Sequence, residues 1–92
     1  MCGFLVCFHK KSCNISEDFF VKSLNKINHR GPDSSGFKEF DLNNYSLKLG
    51  HKRLSILGLN QFGNQPMISS SGRYEIIYNG EIYNHYSLRK KI

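Results

Sequence analysis

Residues 2–8, CGFLVCF, form an unbroken run of apolar and aromatic positions. Its length and its aromatic and β-branched content predict a buried strand. The next segment, NISEDFFVKSLNKINHR, changes period. Phe20, Leu24 and Ile27 recur at spacings of four and three, which lines one face of a helix. Ser16 is placed to cap its first turn, and Glu17 and Asp18 stand where the helix dipole favours negative charge. HRGPDSSG then breaks the periodicity with Gly31, Pro32 and Gly36 and reads as a loop. Two strands are expected around residues 36–40 and 45–54, joined by the turn residues of DLNN. Polar, Gly-containing sequence follows over residues 60–72, and RYEIIYNG reads as another strand ending at Gly80. NHYSLRKKI begins a second helical pattern that stops without a cap, glycine or proline, which reads as truncation. With no internal repeat and no low-complexity linker, the expectation is α+β, with strands and helices mixed in one layer architecture that is incomplete at its C-terminal end.

Composition narrows this little. The 92 residues are 39% hydrophobic and 22% charged, with seven Phe and five Tyr, an ordinary globular balance rather than that of a disordered tail. A chain this short buries about 60–65% of the surface its unfolded form exposes, so its core is small. The longest apolar run, FLVCF, is far short of the roughly 20 residues of a membrane span. It is also short for the core of a secretory signal, and no basic segment precedes it. No membrane is therefore expected, and a cytoplasmic setting is, with Cys2, Cys7 and Cys13 reduced. The net charge of +6 is concentrated in Lys10 and Lys11 and in Arg89, Lys90 and Lys91. These charges form no long stripe with interleaved aromatics, so solvated lysines are expected and no nucleic acid.

Five stretches carry candidate chemistry, each with a plainer reading beside it. Cys2 follows the initiator methionine. Removal of Met1 would put a thiol and a free α-amine on one residue, so that the amine can take the thiol proton. The plainer reading is a cysteine packed in a strand. Cys7, His9 and Cys13 with Cys2 give the spacing C-x4-C-x-H-x3-C, which matches none of the paired C-x2-C patterns of structural zinc, so no metal is expected and Cys7 is assigned to the core. HRGPDSSG is either a surface turn or a rigid loop beside a nucleophile. Arg53 in GHKRLSILG can grip a carboxylate bidentately or stand as a solvated edge charge. In YNGEIYN, the Asn79 amide and the Gly80 N–H can converge on one oxyanion, with Glu81 behind them to meet an ammonium. The Asn-Gly dipeptide is equally a common hairpin turn.

Together, MCGF, HRGPDSSG, GHKRLSI, NQPM and YNGEIYN, in this order and across nearly all of the 92 residues, resemble the glutamine amidotransferase domain of the asparagine synthetase family. The resemblance implies an N-terminal nucleophile hydrolase fold, an αββα four-layer sandwich with two antiparallel sheets between helices. Residues 1–92 would be its N-terminal part only. It further implies that Cys2 attacks the carboxamide carbon of L-glutamine and expels ammonia, with its own α-amine as base, and that water then hydrolyses the glutamyl thioester. Asn79 through its side chain and Gly80 through its N–H would form the oxyanion hole. Arg53 would hold the α-carboxylate and Glu81 the α-ammonium, while backbone groups around Ile56 and Leu57 would line the pocket. The loop at residues 29–36 would shape the wall near Cys2, with no proton-transfer role assigned to His29 or Asp33.

The family's domain is roughly twice this length, and its missing half holds an aspartate that also grips the ammonium. Half a sandwich leaves unpaired sheet edges and an uncovered apolar face. No cofactor is expected in this segment, because ATP and magnesium serve the absent synthetase domain. The implied partners are L-glutamine and the remainder of a synthetase chain or a homologous subunit; the resemblance also allows a homodimer of the full-length protein. The ammonia acceptor would be aspartate or another substrate, a sugar among them. Two readings compete with this one. A non-catalytic piece that acts only by docking to another chain predicts no special reactivity at Cys2. A basic nucleic-acid binder predicts steeply salt-dependent binding.

Overall fold

The computed structural model describes residues 2–54 and 63–92. The order is β1 (Gly3–Lys10), α1 (Glu17–Asn25), a 3-10 turn (Asn28–Arg30), β2 (Ser34–Leu42), β3 (Tyr45–Arg53), β4 (Met67–Ile68), β5 (Glu75–Ile76) and α2 (His85–Lys91). β1, β3 and β2 form an antiparallel sheet with β3 in the middle, and β4 pairs with β5 in a second antiparallel sheet. The chain is thus an α+β unit with two antiparallel sheets.

The β2–β3 hairpin turns on Asn43 and Asn44 of DLNN, since Leu42 already faces Tyr45. Asn43 takes φ 56°, the left-handed region that Asn tolerates better than most residues. α1 starts as its sequence requires: the Ser16 hydroxyl accepts the Phe19 amide hydrogen at 3.1 Å, with Glu17 and Asp18 in the first turn. Its apolar face buries Phe20 and Leu24 to 2% and 1% exposure, while Ile27, beyond the helix end, is half-buried. Phe20 meets Phe37 of β2 with ring centroids 5.2 Å apart. A side chain at Gly50 is excluded by the same packing, because its Cβ would fall 2.8 Å from Leu24 Cδ2. Lys52 donates to Asn25 Oδ1 at 2.8 Å and ties the helix end to the sheet.

Where α1 no longer covers this face, its character changes. Lys48 is 2% exposed, yet its ammonium is satisfied by Glu39 at 3.2 Å, His9 Nε2 at 2.8 Å and Ser46 at 3.3 Å. A buried cation survives only with partners of this kind.

The opposite face carries the β4–β5 sheet. Lys38 pairs with Glu75 at 2.7 Å, and Phe40, Leu42, Leu47 and Leu49 line a groove of about 250 Å³ against Tyr74 and Arg73. A Cβ on Gly36 would collide with the Gln65 carbonyl, so the NQPM segment lies directly on the HRGPDSSG segment. Helix, sheet and second sheet therefore stack as successive layers.

Two expectations need correction. β1 is an edge strand rather than a fully buried one: Phe4, Val6 and Phe8 stay exposed on its outer-alternating positions, and Cys7 on the other face is only half-buried. RYEIIYNG forms a strand over only Glu75–Ile76, because β4 offers two residues to pair with and Tyr78 spends its backbone groups elsewhere. The polar, Gly-containing segment before it contains β4, closed onto β5 by Ser69, which exchanges hydrogen bonds with Tyr74. α2 forms where the sequence places it, exposed along its length.

Candidate functional site

The end of the first sheet at which β1 begins and β3 stops collects most of the chemistry-bearing residues. The register Gly3↔Lys52 brings Cys2, one step earlier, level with the end of β3. Its sulfur accepts the Leu54 amide hydrogen at 3.3 Å and lies 3.7 Å from the Leu54 carbonyl oxygen. Cys2 is half-buried, and its sulfur is held at the end of β3.

Arg53 closes β3 and is 6% exposed. Its Nη1 donates to Asn64 Oδ1 at 2.9 Å, and the same oxygen accepts from the Ser34 hydroxyl at 2.9 Å. Gly63 leaves room for the guanidinium, which would collide with any Cβ there. The Arg53 carbonyl receives the Asp33 amide at 3.0 Å. Three quoted motifs thus converge on one cation: HRGPDSSG, GHKRLSI and NQPM.

Strand alternation puts His51 on the same face as Arg53, two residues back, and it is 1% exposed. Its Nε2 lies 3.2 Å from the Tyr78 carbonyl, while Nδ1 has no hydrogen-bond partner among the described residues. Burial pushes its pKa below the ordinary histidine value; the bond to Tyr78 opposes this and the nearby Arg53 charge adds to it.

Asn79, Gly80 and Glu81 follow on the exposed loop after β5. Tyr78 anchors that loop: its amide donates to Gln65 Oε1 and its hydroxyl to the Glu81 carbonyl at 3.3 Å. Gly80 takes φ 154°, where a side chain would strain the backbone. The side chains of Asn79 and Glu81 hold no hydrogen bond or ion pair among the described residues. Cys2 and Arg53 are thus brought to one sheet end, while of the stretch leading into Asn79–Glu81 the Tyr78 carbonyl is placed against His51, two residues before Arg53. Ile56 and Leu57 lie outside the described residues. Sequence reasoning missed His51 and Asn64 as site components. The available signal for His51 was its two-residue spacing from Arg53; Asn64 had none beyond its place in NQPM. Among the described residues no group of three or more His, Cys, Asp or Glu is arranged to hold a metal ion.

This set offers a thiol, a buried guanidinium, and a free amide and carboxylate on one loop. The family described as glutamine amidotransferase domain matches residues 1–92. The chain belongs to that family. Among its relatives, a putative asparagine synthetase (glutamine-hydrolyzing) 2 of Methanocaldococcus jannaschii is 41% identical over 77% of this chain and 17% of that protein. Asparagine synthetase (glutamine-hydrolyzing) 1 of Saccharomyces cerevisiae is 37% identical over 99% of this chain and 15% of its own length. The Bacillus subtilis protein of the same name is 37% identical, covering 100% and 14%. The chain therefore spans about one-sixth of the length of these relatives or less. No solved structure matches it.

Proposed function

We infer that this chain supplies the nucleophile and substrate-binding face of a glutaminase that splits L-glutamine into glutamate and ammonia. The observation that carries the reading is Cys2, half-buried and held at the Leu54 amide, at the sheet end where Arg53 is also fixed. Membership of the amidotransferase family supports it.

After Met1 is removed, the α-amine of Cys2 takes the thiol proton as sulfur attacks the carboxamide carbon. The C=O electrons move onto oxygen, where the Asn79 side-chain amide and the Gly80 N–H stabilise the developing charge. Collapse of the tetrahedral adduct expels nitrogen, which takes the proton from the amine and leaves as ammonia. Water, deprotonated by the same amine, then attacks the thioester, frees glutamate and returns the thiol. Arg53 binds the substrate α-carboxylate and Glu81 the α-ammonium, with the backbone around Ile56 and Leu57 lining the pocket. A cation, an anion and an oxyanion hole form the complement of free glutamine. The helix–sheet–sheet stacking supports an αββα sandwich whose second helical layer lies beyond the described elements.

In this reading the ammonia passes to an ATP- and magnesium-using region of a longer synthetase chain or partner subunit in the cytoplasm, with aspartate or another substrate as acceptor; that relatives are named asparagine synthetase (glutamine-hydrolyzing) supports the synthetase assignment. The full-length protein is read as able to form a homodimer. The test is intact mass before and after treatment with a glutamine-like diazoketone, followed by peptide mapping. One adduct on a Met1-free Cys2 supports the reading. An unlabelled or Met1-retaining chain overturns it in favour of a docking piece without catalysis.

A further inference from the structure

We propose that His51 is a positioning residue: its neutral, Nε2-protonated imidazole tethers the Tyr78 carbonyl and thereby holds the Asn79–Gly80 backbone at the sheet end that carries Cys2 and Arg53. The inference rests on the reading of Asn79 and Gly80 as the oxyanion site.

The tautomer follows from the partner. A carbonyl oxygen only accepts, so the 3.2 Å contact with Tyr78 requires hydrogen on Nε2. Nδ1 is buried and has no partner among the described residues. A second hydrogen there would make an unpaired buried cation beside Arg53, the costlier state. The neutral ring with a lone pair on Nδ1 is what the site accommodates.

The tether matters because, among the described residues, no strand or helix pairing holds this stretch. β5 ends at Ile76, and the backbone groups of Tyr78 bond to two side chains, Gln65 and His51, instead of a strand. The Tyr78 carbonyl and the Asn79 N–H belong to one planar peptide unit. Fixing that oxygen sets the plane from which Asn79 departs and Gly80 follows. A loop free to shift by about 1 Å loses on the order of 10²-fold in rate when its donors must meet a developing charge.

The test uses the full chain with His51→Leu, which removes the donor, and His51→Gln, whose amide keeps one near the Nε2 position. Long-range nitrogen–proton spectra of the ring should show the Nε2-protonated tautomer. His51→Leu should displace the Asn79 and Gly80 amide resonances and lower kcat for glutamine hydrolysis about 10²-fold with little change in KM, while His51→Gln recovers to within about tenfold of the parent. An Nδ1-protonated ring, or a folded His51→Leu chain with unmoved Gly80 resonances, overturns the proposal. Should His51→Leu not fold, His51→Asn replaces it, its shorter amide falling short of Tyr78. If the parent chain does not hydrolyse glutamine while the Gly80 amide still answers to His51, the functional reading fails and the tether stands.

Discussion

The Leu54 amide points its hydrogen at the Cys2 sulfur across 3.3 Å, so the end of β3 fixes where the candidate nucleophile sits before any substrate arrives. Cys13 is more exposed and Cys7 equally half-buried, yet neither has this arrangement. A glutamine-like electrophile should therefore map to Cys2 alone. Cys2→Ala should lower glutamine hydrolysis by at least about 10³-fold, read as ammonia release, because the covalent route is lost. Equal labelling of all three cysteines would show that the pocket confers no selectivity.

Arg53 is aimed by Asn64 and crowded by Gly63. Arg53→Lys replaces a planar fork with a point charge and should raise KM about 10- to 100-fold with a smaller fall in kcat. Asn64→Ala leaves the charge and removes one acceptor, so its KM should rise by only about 3- to 10-fold. Steady-state kinetics over a range of glutamine concentrations separates the two.

Asn79 is assigned a role in the transition state rather than in ground-state binding. Asn79→Ala should cut kcat by about 10²- to 10³-fold and leave KM close to the parent value. A rise in KM at constant kcat would reassign Asn79 to substrate binding.

Leu24 is the most buried apolar side chain described, packed over Gly50. Leu24→Ala should cost about 2–5 kcal/mol, measured by urea unfolding, which is a large share of what a small domain has. Gly50→Ala should also destabilise, since the new methyl meets Leu24 from the other side of the same contact.

The lowered pKa of His51 makes stability depend on pH in one direction. Above about 6.5 the ring is neutral in both folded and unfolded chains, and its contribution is fully present. As pH falls below that value the unfolded chain binds the proton first, so stability declines until the folded-state pKa is passed. The urea midpoint of the parent should fall over this window, and that of His51→Gln should lose this component.

Much of the fold was legible because its signals are local. The Ser16 cap, the Phe20 and Leu24 stripe and the Asn43 turn each depend on neighbours within a few residues, and each appears where the pattern puts it. The failures share a cause. CGFLVCF reads as buried, yet its burial depends on what covers each face, and only the α1 side is covered near Leu5 and Gly3. RYEIIYNG has strand composition throughout, but strand length is set by the partner, and β4 is two residues long.

The sequence by itself determined which chemistry is available: a second-position cysteine, an arginine at a strand end, an Asn-Gly-Glu run, and an order of motifs that identifies the family. Only the tertiary structure decided how these parts are held. The antiparallel register carries Cys2 to Leu54 across 52 positions of chain, Asn64 reaches back to Arg53 and Ser34, and His51 takes hold of Tyr78. Periodicity reports the face a residue occupies within its own element. Contacts between elements depend on register and on close approach at residues such as Gly36 and Gly63, which no local pattern encodes.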